Sequence, residues 1–262
     1  MRPFTHSKSR EDDGVRFGDM TFEEIRTFAH AGAIVVLPTG CTEQQGPHLA
    51  VDFDTWFPEA LLAEAADHVA PEIEVIVLPA LPFGPTPEHR NFGAGFIDIP
   101  IRVYDAFVTA ILDSLAAQGF EKIVIWRGCG GHDLSDVVAQ HNRTAPTTTY
   151  LPEMPFHDVW CSVADPSVPG GHADSFTTSI ALYRRPAMVR RDRIPAGTSA
   201  QPDWADPALD FTDFSTNGVV GTATMASVEL GHQLWISSVA SAVATLRSVY
   251  SDLGNDTPAA RG

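Results

Sequence analysis

Positive charge is scarce in this sequence, which has 17 lysine and arginine residues against 33 aspartate and glutamate residues, a formal net charge of −16. Nucleic acids and anionic membrane surfaces would repel such a chain, so we expect neither as a partner. The sequence also lacks an apolar run of about 18 residues that could span a bilayer, and its N-terminus, MRPFTHSKSREDDG, lacks the apolar core of a signal peptide. It has only three widely spaced cysteines, an odd number that does not indicate a disulfide framework. These absences predict a soluble cytoplasmic protein.

The chain has 262 residues, 44% of them hydrophobic, which is enough to bury one sizeable core. We expect one domain at 20–252, an N-terminal extension at 1–19 and a disordered tail at 253–262. Apolar runs of strand length alternate with segments of helical periodicity, which predicts a parallel sheet covered by helices and therefore an α/β fold. The predicted strands are 33–38, 74–84, 122–126 and 156–163, and the predicted helices are 22–31, 55–70, 101–118, 173–183 and 223–250, with one more starting near 132 or 133.

Polar side chains crowd the segment that follows the first predicted strand. Glu43, Gln45, His48, Asp52 and Asp54 fall within twelve residues of one another. Carboxylates and imidazoles that converge at the carboxyl end of a buried strand suit a divalent metal or a general acid–base pair. The alternative is a solvated loop rich in turn-forming residues.

Cys129 lies in a glycine-rich turn, RGCGGH, directly after the third predicted strand. If a helix starts near His132, the amides of its first turn favour a thiolate, so we expect the pKa of Cys129 to be lowered. The alternative is a tight turn that holds a small buried cysteine.

Three further positions are candidates for binding or proton transfer. His172 follows two glycines at the start of a predicted helix. There it either reaches into a cleft or is a structural histidine. Glu88 and His89 lie in a loop, 85–98, that is longer than usual, and long ordered loops tend to carry function. Trp204 lies in the excursion 195–217 and is a candidate for the pocket wall.

Five segments resemble the creatininase (creatinine amidohydrolase) family, and they occur in the same order as in the family. GCTEQQGPHLA, which starts at Gly40, is similar to the family's G-S-T-E-Q-H-G-P-H-L-P, and Asp54 stands eleven residues after Glu43, as an aspartate does in the family. The other four segments are LPFGPTPEHRNFGAGF, RGCGGH, GGHADSFTTS and GVVGTATMASVELG. The resemblance covers about residues 20–252.

This resemblance implies a three-layer α/β/α fold with a mostly parallel central sheet, usually in a homohexamer. It also implies two adjacent divalent cations that activate water against an amide or cyclic amide bond. Glu43 and Asp54 retain ligand positions, with Asp54 bridging the two cations. Three other family ligands are replaced, a histidine by Gln45, a histidine by Cys129 and a glutamate by Thr177. Amide and hydroxyl groups are poor ligands for zinc or manganese, so we expect the second cation to be absent.

The first interpretation is hydrolysis of a C–N bond in a small molecule with one divalent metal, zinc as the first choice and manganese or iron as alternatives. Family resemblance also suggests a homo-oligomer. The expected metal ligands are Glu43, Asp54, Cys129 and His132, the expected catalytic residues are Glu43, His48, Cys129 and His172, and the expected substrate contacts are Gln45, Glu88, His89 and Trp204.

Two other interpretations stay open. In one, no metal binds and Cys129 is the nucleophile for acyl transfer or a rearrangement, with Glu43 or His172 as its base. In the other, the chain is catalytically inert and serves as a binding or assembly subunit. An arbitrarily decaying site would not keep Glu43, Asp54, His48 and His172, so the sequence favours an enzyme.

Overall fold

Four parallel strands form the centre of the fold, in the order β2-β1-β3-β4. They are β1 Ile34–Thr39, β2 Val75–Val77, β3 Lys122–Arg127 and β4 Thr148–Tyr150. This computed structural model describes residues 16–70, 72–153, 155–163, 170–200, 202–204, 206 and 208–252. The two central strands pair along six residues and end level with each other, at Thr39 and Arg127.

Helices cover both faces of the sheet. Successive side chains of a strand point to opposite faces, so β1 sends Ile34 and Val36 into one hydrophobic core and Val35 and Leu37 into another. The first core is closed by α2 Phe53–Val69, α5 Pro155–Val163, α6 Ser175–Arg184 and α7 Val228–Ser251. The second core is closed by α1 Phe22–His30, α3 Ile101–Ala117 and α4 Ser135–Thr144. The three-layer α/β/α fold with a parallel sheet is therefore confirmed.

Short 3₁₀ helices make up much of the connecting chain. Two of them matter for the site, Pro87–Phe92 in the long loop after β2 and Phe211–Asp213 in the excursion before α7. The others are Phe17–Asp19, Pro186–Met188, Arg191–Arg193 and Ala223–Met225.

The local predictions were right where periodicity and punctuation agreed. The capping box of Thr21 and Glu24 is formed at the start of α1. The predicted strand at 156–163 is wrong, because that segment is α5, and a short apolar run fits a buried helix as well as a strand. β2 stops at Val77, well before the predicted 84, because prolines at 79 and 82 cannot donate to a ladder.

The helix after Cys129 begins later than predicted. Its N-cap is Leu134 and its first residue is Ser135, so Cys129 lies six positions before the helix and not at its N-terminus. The predicted N-terminal extension falls mostly, and the predicted tail at 253–262 entirely, outside the described residues. Among the residues described, no helix is both long and apolar enough to cross a membrane.

Candidate functional site

The two central strands continue into the same short pattern, a glycine followed by a cysteine. Gly40 and Gly128 directly follow the paired strand ends. A Cβ on Gly40 would come within 2.5 Å of the carbonyl oxygen of Asp54, and a Cβ on Gly128 would come closer still. The first turn of α2 therefore lies directly against both strand ends, and only glycine allows that approach.

The cysteines and carboxylates at these strand ends form one buried group. We name Cys41, Glu43, Asp54 and Cys129 the thiol–carboxylate group, since one donor atom from each lies within 4.8 Å of the others. The Cys41 thiol donates to Glu43 Oε2 at 3.0 Å and to Asp54 Oδ2 at 3.5 Å, and the Cys129 thiol lies 3.8 Å from Glu43 Oε2. All four side chains are buried.

Gln45 supports the two carboxylates of this group. Its Nε2 donates to Asp54 Oδ2 at 2.6 Å and to Glu43 Oε1 at 3.3 Å. Its Oε1 has no hydrogen-bond partner, although the residue is only 1% exposed. The residue predicted to contact substrate therefore lies inside the site, with an acceptor left for a further donor.

Two histidines lie on the other side of Glu43, and we name His89 and His172 the imidazole pair. His89 Nε2 lies 3.3 Å from Glu43 Oε2, His172 Nδ1 lies 3.4 Å from Glu43 Oε1, and the ring centroids are 4.8 Å apart. His89 is carried by the 3₁₀ helix of the long loop, and His172 is fixed by backbone hydrogen bonds in both directions with Val220. Phe211 packs its ring edge to face against both imidazoles, at 4.6 and 5.0 Å.

Gln44 determines which nitrogen of each imidazole carries the proton. The backbone amide of Gly46 donates to Gln44 Oε1, which fixes the orientation of the side-chain amide. Gln44 Nε2 then donates to His89 Nδ1 at 3.0 Å and to the carbonyl of Gly218 at 3.2 Å. His89 Nδ1 is therefore an acceptor, and the proton on His89 Nε2 faces Glu43.

The backbone carbonyl of Gln44 fixes the second ring. It accepts a hydrogen bond from His172 Nε2 at 2.7 Å, so that nitrogen carries the proton. His172 Nδ1 is then a free lone pair that faces Glu43 Oε1 at 3.4 Å. Two acceptors facing each other suit a proton or a cation, and Glu43, His89 and His172 form a second group whose donor atoms lie within 4.8 Å of one another.

Burial and neighbouring charge set the protonation of the thiol–carboxylate group. Burial acts to raise the pKa of Glu43, but the hydrogen bond of His89, and the charge that His89 and His172 carry when protonated, outweigh burial and lower that pKa. Burial and the charge of Glu43 raise the pKa of Asp54 well above its ordinary value. Burial raises the pKa of Cys41 as well. Burial and mutual charge thus favour a charged Glu43 and disfavour charge on Asp54 and Cys41.

Cys129 is not an activated thiol in this environment. The hydrogen bond with Cys41 acts to lower its pKa, but burial and the charges of Glu43 and Asp54 outweigh that bond and raise the pKa to about 12. The prediction of a lowered pKa for Cys129 is wrong. The helix α4 starts too far away for the amides of its first turn to stabilise the thiolate.

The two imidazoles have opposite tendencies. Burial lowers the pKa of His172 to about 4, although the charge of Glu43 opposes that shift, so the ring is neutral at neutral pH. Burial also acts to lower the pKa of His89, but its hydrogen bond to Glu43 and the charges of Glu43 and Glu88 produce a net rise. His172 is therefore the proton acceptor of the pair, and His89 is the donor to Glu43.

Other predicted site residues lie around this centre. His132 forms a separate group with the two cysteines, and its Nε2 bonds the carbonyl of Pro85 at 3.0 Å, which ties down the long loop. His48 is fully buried, and its Nε2 pairs with Thr178 Oγ1 at 2.8 Å. Glu88 Oε1 lies 3.6 Å from His89 Nε2. Trp204 is 49% exposed and packs on Phe211, so it reaches the imidazole pair only through that ring.

Sequence reasoning missed Cys41, Gln44 and Phe211 as members of the site. The signal for Cys41 was its spacing, since it stands two residues before Glu43 in extended chain, where alternate side chains share a side. The contacts of Gln44 and Phe211 reach residues more than forty positions away and had no local signal.

A parallel α/β sheet with carboxylates, thiols and imidazoles at the carboxyl ends of its central strands has the arrangement in which α/β enzymes bind their ligands. A family model described as creatinine amidohydrolase matches residues 18–246, so the chain belongs to the creatininase family. It is 30% identical over 217 residues to the mycofactocin precursor peptide peptidase of Mycobacterium tuberculosis, covering 78% of this chain and 81% of that protein. It is 24% identical to the creatinine amidohydrolase of Pseudomonas putida, covering 86% and 95%.

Solved creatininases share the fold. A manganese form superposes with a TM-score of 0.76 at 21% identity, over 90% of this chain and 98% of that one. Another solved member is a zinc–zinc form. The chain is therefore a creatininase-family hydrolase of C–N bonds.

Proposed function

We propose that this hydrolase cleaves an amide or cyclic amide bond of a small molecule with the help of one divalent metal ion, zinc before manganese or iron. The observation that carries the proposal is the position of Glu43. One carboxylate touches both a set of metal-ligating side chains and a histidine pair whose tautomers are fixed.

The donor set fits a metal ion. Glu43, Asp54 and Cys129 would hold it, since they offer two carboxylates and one sulfur within 4.8 Å of one another in a buried site. A bound ion would supply Lewis-acid polarisation of the scissile carbonyl and of the attacking water. Thiolate is a soft ligand that suits zinc better than manganese, which prefers oxygen, and this favours zinc here.

Proton transfer falls to the imidazole pair. His172 Nδ1 is a neutral lone pair at the edge of the site, so it accepts the proton that the attacking water loses and returns it to the leaving nitrogen. His89 and Gln45 donate to the carboxylates and keep them oriented. The reaction consumes one water and yields a carboxylic acid and an amine.

The surroundings and the relatives support a small amide substrate. Phe211 and the 3₁₀ helix of the long loop pack against the imidazole pair, which favours a substrate of small size at this point. One relative is named a peptide peptidase and the other an amidohydrolase, and both activities break a C–N bond. Trp204, exposed beside Phe211, is the expected contact for the outer part of the substrate.

The test is metal analysis together with hydrolysis of a panel of short amides, lactams and cyclic ureides. We expect about one zinc per chain, activity that chelation removes and zinc restores, and an inactive His172→Asn variant that keeps its metal. A chain that binds no divalent metal, or one that hydrolyses equally well after chelation, would contradict the proposal.

The metal-free interpretation has less support. A Cys129 thiol with a pKa near 12 and 7% exposure is a poor nucleophile without a cation beside it. It predicts that iodoacetamide modifies Cys129 faster than Cys41 in the metal-free protein. Equal and slow modification of both buried cysteines would remove it.

We also propose that copies of the chain associate, as the family resemblance suggests. Val103 and Phe107 lie one turn apart on α3, and each is about half exposed. Light scattering of the purified protein tests this, and a monomer at micromolar concentration would contradict it. The cytoplasmic location stays a prediction.

A further inference from the structure

The sulfur of Cys41 lies in the middle of the thiol–carboxylate group. It is 3.0 Å from Glu43 Oε2 and 3.5 Å from Asp54 Oδ2. In a tetrahedral zinc site, with sulfur at about 2.3 Å and oxygen at about 2.0 Å from the ion, a sulfur and an oxygen lie about 3.5 Å apart. The two Cys41 distances and the 3.8 Å between Cys129 and Glu43 bracket that value.

The backbone places the sulfurs of Cys41 and Cys129 at equivalent positions beyond the ends of the two central strands. Thr39 and Arg127 are paired at the ends of β1 and β3, and Cys41 and Cys129 each stand two residues beyond those ends. The turn that carries Cys41 is fixed by the hydrogen bond from Thr55 Oγ1 to the Cys41 carbonyl. The position of this sulfur is therefore built into the fold, and the residue is fully buried.

We propose that Cys41 is a metal ligand, so that two thiolates and two carboxylates would hold one thiophilic cation, Zn²⁺ in the first place, with water entering as a fifth ligand. This inference rests on the proposed function and specifies its metal site. His132, predicted as the fourth ligand, is replaced in that role by Cys41, because His132 groups with the two cysteines but not with the carboxylates, whereas the Cys41 sulfur reaches both carboxylates.

A second thiolate changes what the site selects. Sulfur ligands favour zinc and disfavour manganese, which binds oxygen ligands. The carboxylates receive the donors that such ligands need, since His89 bonds Glu43 and Gln45 bonds Asp54. We therefore expect this chain to exclude manganese from the site even when manganese is in excess.

The number of sulfur neighbours of the metal decides the matter. X-ray absorption at the zinc edge, on full-length wild-type protein loaded with one equivalent of Zn²⁺, should show two sulfur neighbours. One sulfur neighbour would overturn the inference while leaving a metal-dependent hydrolase in place. Failure of the wild-type protein to bind Zn²⁺ at all would overturn both, so the two failures are distinguishable.

Cobalt-substituted variants give an independent measure. The thiolate-to-cobalt charge-transfer absorption of Cys41→Ser and of Cys129→Ser should each be about half that of the wild type, because each thiolate contributes. The matched control is Cys161→Ser, since Cys161 is exposed on α5 and its change should leave the band unaltered. A full-strength band in Cys41→Ser would contradict the inference. If Cys41→Ser does not fold, the sulfur count on the wild type still decides.

Zinc affinity gives the third readout. Competition with a chromophoric chelator should show that Cys41→Ser binds Zn²⁺ at least about 100-fold more weakly, since loss of a supporting partner alone costs 10–100-fold. Equal Zn²⁺ affinity in Cys41→Ser and wild type would overturn the proposed ligand.

Discussion

The thiol–carboxylate group and the imidazole pair share Glu43 but are built in different ways. The first group comes from residues within four positions of two paired strand ends and from the helix that lies against them. The second comes from two loops held in place by Gln44 and covered by Phe211. From this difference we infer that the thiol–carboxylate group, at the rigid edge of the sheet, is suited to hold a cation. The imidazole pair, which is carried by loops, is suited to transfer protons.

Removal of the shared carboxylate should have the largest effect. Glu43→Gln keeps the shape but loses the charge that both groups use, so we expect a fall in kcat/KM on the order of 10⁴-fold and loss of bound zinc. Metal analysis and steady-state kinetics measure the two effects. The matched control is Glu72→Gln on the surface, where the glutamate pairs with Arg247. Retention of metal with loss of activity would show that Glu43 belongs to the imidazole pair alone.

Replacement of His172 should affect proton transfer without affecting metal binding, and so distinguish the imidazole pair from the thiol–carboxylate group. His172→Asn takes away the proton acceptor, so we expect kcat to fall on the order of 10³-fold. Zinc content should be unchanged, because the proposed ligands are those of the thiol–carboxylate group, whereas His172 belongs to the other candidate group, with Glu43 and His89. The pH profile should also lose its acidic limb. Loss of zinc in this variant would place the imidazole among the metal ligands and break the comparison.

A change at Gln44 should act on the imidazole pair through hydrogen bonds alone. Gln44→Glu is nearly isosteric but replaces the donor to His89 Nδ1 by a carboxylate acceptor, so Nδ1 binds a proton and the tautomer with a free Nδ1 lone pair is lost. We expect kcat to fall by about 10–100-fold with little change in zinc affinity. Nitrogen-detected NMR of the histidines reads the tautomer directly. An unchanged His89 tautomer would contradict this assignment.

His48 lies outside both groups and should affect stability more than catalysis. Burial lowers its pKa from 6.5 to about 4, so the unfolded chain binds a proton in the pH window where the folded chain does not. The stabilisation from this ring is complete above pH 6.5 and is lost as the pH falls toward 4, a change of roughly 3 kcal/mol.

Urea unfolding at several pH values measures this dependence. His48→Gln should be less stable at pH 7, because it loses the bond to Thr178, but its stability should fall less steeply in acid. The control is His30→Gln at the exposed end of α1. Parallel pH curves for His48→Gln and wild type would refute the expectation, and a large loss of activity would move His48 into the proton pathway.

The sequence was sufficient for the long elements of the fold and insufficient for the short ones. β1 and β3 are apolar runs between clear turn signals, so their strands were predicted within one or two residues. β4 was missed because three residues at a sheet edge, Thr148–Tyr150, carry almost no hydrophobic signal. The segment that forms α5 is apolar at both helical and strand spacings, and only packing against α7 decides between them.

The site was predicted in outline for a similar reason. Glu43, Asp54 and Cys129 lie at strand ends or at a helix start, positions that local patterns and the family resemblance both mark. The function of His89 depends on the loop path that brings it to Glu43, and the tautomers depend on contacts that join residues from 44 to 218. Such long-range hydrogen bonds leave no trace in one sequence.

The glycines at 40 and 128 hold the thiol–carboxylate group in place through the backbone. Because α2 rests on the bare backbone at both strand ends, the position of the group is set by the fold. Serine, which is close to cysteine in size, should therefore change the cation preference at position 41 or 129 without moving the scaffold. Alanine at position 40 or 128 should do the opposite and push the helix away, so a redesign has to leave those two residues alone.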